Sequence, residues 1–271
     1  MKQLLKVNLE LCSKCGTCAE VCPRGIIRLG SAGPKMLLAA ACLSCGHCVA
    51  VCPKGALEHQ GFPQGEEKPL PRFPVLDPET AEAFLRSRRS IRCYKKEAVP
   101  REKLRQLLEI ARFAPSGGNS QGLSYRVVDD RDLLKKITAA TIDWMEGQIK
   151  DGAEWAKGYG QMISEYRKTG IDSILRNAPC LILATAPCRF PLGRDNARLS
   201  LEYVELYATT LGLGTCWAGF VEMCAGAGYP PLLQIIRLPE EMAVVGAMMT
   251  GYPRYTYRRL VERNPLQISW V

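Results

Sequence analysis

Cys12-Ser-Lys-Cys15-Gly-Thr-Cys18-Ala-Glu-Val-Cys22-Pro23 returns thirty residues later as Cys42-Leu-Ser-Cys45-Gly-His-Cys48-Val-Ala-Val-Cys52-Pro53. Both stretches follow C-x2-C-x2-C-x3-C-P without slippage. The match extends past the sulfurs, because Gly16 pairs with Gly46, Val21 with Val51 and Gly25 with Gly55. The segment is an internal duplication. Thiolates at three-residue intervals can wrap one face of an iron–sulfur cube, and soft iron and sulfide prefer such ligands over imidazole or carboxylate. Structural zinc favours two well-separated C-x2-C pairs instead. A disulfide framework needs export, and Met1 to Leu11 is too short and too polar for a signal peptide.

The run resembles that of bacterial ferredoxins, in which the fourth cysteine of each run serves the other cluster. The resemblance implies two 4Fe-4S clusters, one on Cys12, Cys15, Cys18 and Cys52 and the other on Cys42, Cys45, Cys48 and Cys22. Gly16 and Gly46 leave room for backbone N–H groups near the sulfides. Val7, Leu9 and Leu11 alternate with polar residues and predict a short strand ahead of the first cluster. Ile26-Ile27 and Ala56-Leu57 occupy matching places after each run. Residues 1–60 are thus expected to form a small ferredoxin-like domain held by its metal rather than by a large core. His47, inside the second run, reads as an exposed loop residue and not as a ligand.

Composition bounds the rest. The chain has 271 residues, of which 47% are hydrophobic, enough for a true core and at most two domains. Its longest apolar runs, such as Met36 to Leu43, fall far short of a membrane span. Thirteen cysteines without an export signal point to a reducing, oxygen-poor cytoplasm. The net charge of +9 is concentrated in arginines at 86–92 and 254–263. Two compact groups fit an anionic pocket better than a nucleic-acid stripe, for which no interleaved aromatic pattern exists. Residues 61–76, with Pro63, Pro69, Pro71 and Pro74, read as a semi-extended linker.

Beyond it, Asp77-Pro78 caps a helix ending near Arg88, and Val99-Pro100 opens another with Leu104, Leu107, Leu108 and Ala111 on one face. Strands are expected at Tyr125–Val128, Leu181–Ala186 and Ala243–Thr250. Helices are expected at Leu133–Gln148 and from about Arg194 to Leu211. Their irregular alternation predicts a sheet with helices on both faces.

Four motifs carry a second resemblance: Arg88-Arg89-Ser90-Ile91-Arg92, Ala114-Pro115-Ser116-Gly117-Gly118-Asn119-Ser120-Gln121, Leu211 to Phe220, and Gly251-Tyr252-Pro253. In this order they resemble the nitroreductase family of FMN enzymes, framing residues 77–271. The resemblance implies an α+β class with a mixed sheet flanked by helices, and an intertwined homodimer onto whose partner Gln267 to Trp270 would pair. It assigns Arg88, Arg89, Ser90 and Arg92 to the FMN phosphate and ribityl region, with Arg259 and Arg263 as candidates for a further cationic contact. Forked guanidinium donors suit a phosphate dianion in any case. It places Pro115, Ser116 and Asn119 at the flavin ring edge, although the family's Gln-Pro is Gln121-Gly122 here. It also turns the backbone N–H groups of Ala218 and Gly219 toward flavin N5 and O4.

No G-x-G-x-x-G fingerprint is present, since Gly212-Leu213-Gly214 runs into Thr215-Cys216-Trp217. Cys93, Cys180, Cys188, Cys216 and Cys224 lack a nearby histidine and are expected to be buried structural thiols. Trp144, Trp155, Tyr159 and Tyr166 mark a segment, 141–177, that reads equally as a lid over the flavin or as a packed helical pair. The combined expectation is an enzyme passing electrons from a low-potential donor such as ferredoxin through two clusters to FMN. The acceptor would be a small organic molecule: a nitroaromatic, quinone or activated alkene. An NAD(P)H-fed reductase, a dehydrogenase running outward through the clusters, and a non-catalytic flavin-holding module are the alternatives.

Overall fold

The computed structural model describes residues 4–61, 70 and 75–271. Most of the expected linker therefore lies outside the described residues. The chain divides into two compact units, Met1–Val75 with Gly117–Ser120, and Leu76–Ser116 with Gln121–Val271.

The first unit is a pseudo-twofold repeat. Its elements are β1 (Leu5–Val7), α1 (Thr17–Glu20), β2 (Ile27–Gly30), β3 (Gly33–Met36), α2 (His47–Ala50) and β4 (Leu57–His59). β1 pairs with β4 and β2 with β3, both antiparallel. The duplication persists in the backbone: Lys14 and Ser44 have φ of 56° and 49°, Gly16 and Gly46 of 85° and 76°, Gly25 and Gly55 of 59° and 57°. A small core of Leu5, Ile26, Ile27, Val49 and Leu57 packs around Cys18 and Cys48. The first strand is shorter than the alternation predicts. Asn8 Oδ1 accepts from the amides of Glu10 and Leu11 and turns the chain, which leaves Leu9 and Leu11 exposed.

In the second unit, α3 (Pro78–Ser87) begins where Asp77 accepts from Thr80 N at 2.9 Å, and α4 (Arg101–Glu109) continues as a 3-10 turn through Phe113. There follow β5 (Ser124–Val128), α5 (Arg131–Lys150), α6 (Glu154–Lys157), α7 (Gly160–Thr169), β6 (Cys180–Pro187) and α8 (Gly193–Thr210). The chain ends in β7 (Gly214–Trp217), α9 (Gly219–Gly226), α10 (Pro230–Ile235) and β8 (Met242–Gly251). The sheet order is β5-β6-β8-β7, and all three pairings are antiparallel. β6 and β7 do run parallel to each other, joined over α8, but β8 is inserted between them.

Successive residues of β6 serve opposite faces. Leu181 and Leu183 join a core with α5, α9 and α10, whereas Cys180, Ile182 and Ala184 join one with α4 and α8. Covering on both sides explains why β6 is buried through Ala186 and, apart from Thr185, apolar rather than alternating. β7, α9 and α10 escaped the sequence reading, because β7 is short and opens on a glycine that resembles a turn.

Candidate functional site

The eight cysteines of the repeat fall into two sets. One cavity is lined by Cys12, Cys15, Cys18 and Cys52, the other by Cys22, Cys42, Cys45 and Cys48. The fourth cysteine of each run lines the cavity of the other set: Cys22 comes just after the one-turn helix α1 and Cys52 just after α2. Among the described residues no three His, Cys, Asp or Glu side chains are spaced to hold one metal ion. Four thiols around one cavity fit a cube instead, which takes one thiolate at each iron. Burial and the neighbouring Cys45 and Cys42 push the Cys48 thiol up to about 11, a cost that a bound cationic core relieves. Further donors reach the sulfurs: Ser44 N to Cys42 Sγ at 3.5 Å, Ala56 N to Cys52 Sγ at 3.3 Å, and the His59 ring at Cys42.

In the second unit the arginine run is tied to the sheet edge. Ile91 N donates to Thr215 O at 2.8 Å, Lys95 N to Tyr252 O at 2.9 Å, and Arg254 N to Cys93 O at 2.9 Å. The close approach requires Gly214, where a Cβ would lie 2.4 Å from Ile91 Cγ1. Three of the four motifs, Arg88–Arg92, Leu211–Phe220 and Gly251–Pro253, thereby meet along β7 and β8.

Arg88, Arg89 and Arg263 line one cavity of about 470 Å3 together with Arg86 and Glu262. Arg86 is already paired, to Glu82 at 2.8 Å and Glu262 at 2.6 Å. Arg89 lies over the Tyr257 ring, 5.7 Å from its centroid. The remaining guanidinium groups suit a phosphate dianion. Arg259 is not among the lining residues of this cavity. Arg92 lines a different one of about 610 Å3, with Lys95, Lys96, Arg131, Arg176 and Arg254.

Arg88 has a partner that sequence reasoning missed. Its Nη1 donates to Glu205 Oε1 at 2.9 Å, and the Glu205 side chain is 3% exposed. Burial raises the Glu205 pKa, and the Arg88 charge pulls it partly back. A signal existed: Glu205 sits on α8 in line with Leu201, Val204 and Ala208, a carboxylate within a buried apolar stripe.

Pro115 and Ser116 line a small cavity with Tyr125, Asn196 and Ser200 of the second unit, and the Ser116 hydroxyl accepts from Gln121 N at 3.1 Å. Asn119 has a left-handed φ of 54°, and its Nδ2 donates to Leu43 O and Ser44 O at 2.9 Å each. Ala218 is buried and its N–H donates to Ala247 O at 2.8 Å. That bond corrects the expectation of two outward amides, because Ala218 N–H is committed to the sheet. It caps α9, whose first amides, from Gly219 on, have no partner within the helix.

Aromatic rings lead away from that helix start: Phe220 meets Tyr159 at 4.9 Å, Tyr159 meets Trp155 at 6.3 Å, and Trp155 meets Trp144 at 5.4 Å. Cys180, Cys216 and Cys224 are buried as expected, but Cys93 and Cys188 are exposed. Cys93 follows the surface arginine run and Cys188 sits in the turn after β6, so neither faces a core.

Residues 11–57 match the model of a 4Fe-4S dicluster domain, and residues 85–252 match that of the nitroreductase family. The chain belongs to the nitroreductase family and is a flavin oxidoreductase carrying a 4Fe-4S dicluster domain. An iodotyrosine deiodinase of Thermotoga neapolitana is 27% identical over 169 residues, covering 62% of this chain and 86% of that protein. An NADH dehydrogenase of Thermus thermophilus is 28% identical over 194 residues, covering 66% and 88%. The fold is shared with a crystal structure of a nitroreductase with bound FMN from Desulfitobacterium hafniense. Its TM-score is 0.57 at 22% identity, over 72% of this chain and 100% of that one. Among the described residues no helix is long and apolar enough to cross a membrane.

Proposed function

We propose that this chain is an FMN-dependent oxidoreductase that takes electrons from a low-potential donor such as reduced ferredoxin and delivers them to a small organic acceptor. The observation that carries the reading is the presence, in one chain, of two four-cysteine cavities and an arginine-lined cavity in the nitroreductase-family unit. When bound, FMN supplies the conversion between one-electron supply and two-electron delivery.

Each residue has a stated part in this reading. Arg88, Arg89 and Arg263 hold the phosphate. Ser90 and Arg92 serve the ribityl side, with Arg259 as a further cation. Pro115, Ser116 and Asn119 border the ring. The amides opening α9, from Gly219 on, offer fixed dipoles to the edge where negative charge grows on reduction. A nitroaromatic, quinone or activated alkene is the expected acceptor, and the deiodinase relative adds a halogenated phenol to those worth trying. A cytoplasmic homodimer is part of the proposal. Leu199 and Tyr203 on α8, and Leu260, Leu266 and Trp270 near the C-terminus, are exposed in the single chain and supply apolar surface for a partner copy.

The relative named as an NADH dehydrogenase supports a second reading, in which NAD(P)H feeds the flavin and current leaves through the clusters. An anaerobic titration of cluster-replete protein distinguishes them, following flavin and cluster absorbance during separate additions of NADH, NADPH and reduced ferredoxin. Bleaching of the flavin by ferredoxin alone supports inward flow. Direct reduction by NAD(P)H, with the clusters following, replaces it with the second reading.

The aromatic ladder makes Trp155 a substrate-side residue in this proposal. Trp155→Ala should change the ratio of kcat/KM among a nitroaromatic, a quinone and an alkene by about tenfold while leaving flavin content intact, since Trp155 supplies contact area on one side only. Equal effects on all three acceptors would reduce the ladder to packing.

A further inference from the structure

The two halves of the cysteine repeat agree in sequence and in backbone angles, but they diverge at a position beside the cysteines that is half-exposed in the first half and buried in the second. Leu29 in the first half corresponds to His59 in the second, and Ser31 to Gly61. Leu29 lines the cavity of Cys12, Cys15, Cys18 and Cys52; His59 lines that of Cys22, Cys42, Cys45 and Cys48. His59 is 4% exposed, and its Nε2 lies 3.3 Å from Cys42 Sγ.

The proton on that nitrogen is set by the other side of the ring. Gly61 N–H donates to Nδ1 at 3.0 Å, so Nδ1 carries a lone pair and the neutral ring holds its hydrogen on Nε2, aimed at the sulfur. Gly61 has to be glycine for this, because a Cβ there would lie 2.6 Å from His59 Cε1 and 2.9 Å from Ser44 Oγ. A histidine, an orienting amide and a glycine that makes room for both form a constructed donor. The first half has no equivalent: its leucine offers no N–H, and the Ser31 carbonyl accepts from Lys14 Nζ instead. Cys15 does meet the Thr17 hydroxyl at 3.3 Å, but Cys15 is exposed, and there water provides a comparable bond.

We propose that His59 is a potential-setting residue, which through its Nε2–H bond to Cys42 raises the reduction potential of the cluster held by Cys22, Cys42, Cys45 and Cys48. A donor at a ligand sulfur offsets the negative charge that grows there on reduction, and its effect is strongest where water is excluded. His59 therefore biases the sharing of one electron toward this cluster: as one cluster is oxidised the other is reduced, no bond is broken, and the proton stays on Nε2. The proposal rests on the ligand sets proposed above.

The test is a redox titration of the anaerobically purified full chain, with both clusters and flavin present, followed by electron paramagnetic resonance. His59→Leu, which copies the first half, should lower one of the two cluster potentials and leave the other. The electron-sharing equilibrium should move about tenfold, equivalent to 59 mV for a one-electron couple. His59→Gln, which keeps an N–H donor, should recover part of the shift. Gly61→Ala, which pushes the ring aside, should repeat the leucine effect. Unchanged potentials in His59→Leu at full iron content would overturn the proposal, as would an equal movement of both. The ligand assignment fails separately: if Cys42→Ser retains both clusters with unaltered iron, Cys42 is no ligand and the proposal falls with it.

Discussion

Cys45→Ser should leave the protein with roughly half of its iron and sulfide, and should slow reduction of the bound flavin by reduced ferredoxin at least a hundredfold. The expectation follows from the crossed cysteine sets. Cys45 belongs with Cys22, Cys42 and Cys48, so its loss opens one cavity while Cys12, Cys15, Cys18 and Cys52 remain complete. A serine oxygen is a poor replacement for a thiolate on iron. The first unit should also melt earlier, because a core of a few residues such as Leu5, Ile27 and Leu57 leaves much of its stability to the metal. Iron and sulfide assays, stopped-flow absorbance and a thermal melt read the three effects. Full metal content with an unchanged rate would remove this cluster from the electron path.

The second large effect is expected at Arg88, whose substitution touches folding and binding together. Removing the guanidinium leaves the Glu205 carboxyl buried without its partner, which costs about 3 kcal/mol. The loss depends on pH, and its sign follows from the direction of the Glu205 shift. The folded-state pKa is raised by burial, so the native protein binds this proton more tightly than the unfolded chain. Stability from the carboxyl is therefore present below the unfolded-state pKa and is lost as pH rises through the folded-state value. Without Arg88 the rise is larger, and the melting temperature of Arg88→Ala should fall more steeply than that of the natural chain as pH rises above the ordinary carboxylate range.

FMN affinity should drop as well, by about tenfold to a hundredfold, the worth of one charge-assisted bond to phosphate. Combining Arg88→Met with Glu205→Leu separates the two roles. The double variant should regain stability, since neither charge is left buried, but not flavin affinity. Recovery of both would mean that Arg88 serves only the fold.

Much of this protein is legible in its sequence because metal and phosphate chemistry restrict residue type at fixed spacing. The resemblance of the cysteine repeat to bacterial ferredoxins implied two sets of four, and these line separate cavities, while Arg88 and Arg89 of the arginine run line another. Helices with strong caps were equally plain: Asp77 and Pro78 start α3 where expected. The misses have physical causes. β7 is a four-residue strand whose Gly214 is demanded by Ile91, a contact from more than a hundred residues away that no local pattern reveals. The sheet's direction depends on where β8 inserts, and hydrophobic runs do not encode that. Asn8 stopped β1 through side-chain bonds stronger than the alternation of Leu9 and Leu11. Glu205 and His59 went unnoticed because each is an isolated polar residue whose meaning depends on a distant partner.

The crossing of Cys22 and Cys52 also bears on how the protein is made. The chain emerges from the ribosome N-terminus first, so Cys12, Cys15, Cys18 and Cys22 appear together, yet they do not belong to one set. The set of Cys22, Cys42, Cys45 and Cys48 is complete only when Cys48 has been synthesised, and the set begun by Cys12 only when Cys52 has. During that interval four thiols stand close together without their final partners, open to oxidation or to a wrong metal. The half-made repeat thus exposes thiols that the finished domain would commit to its clusters.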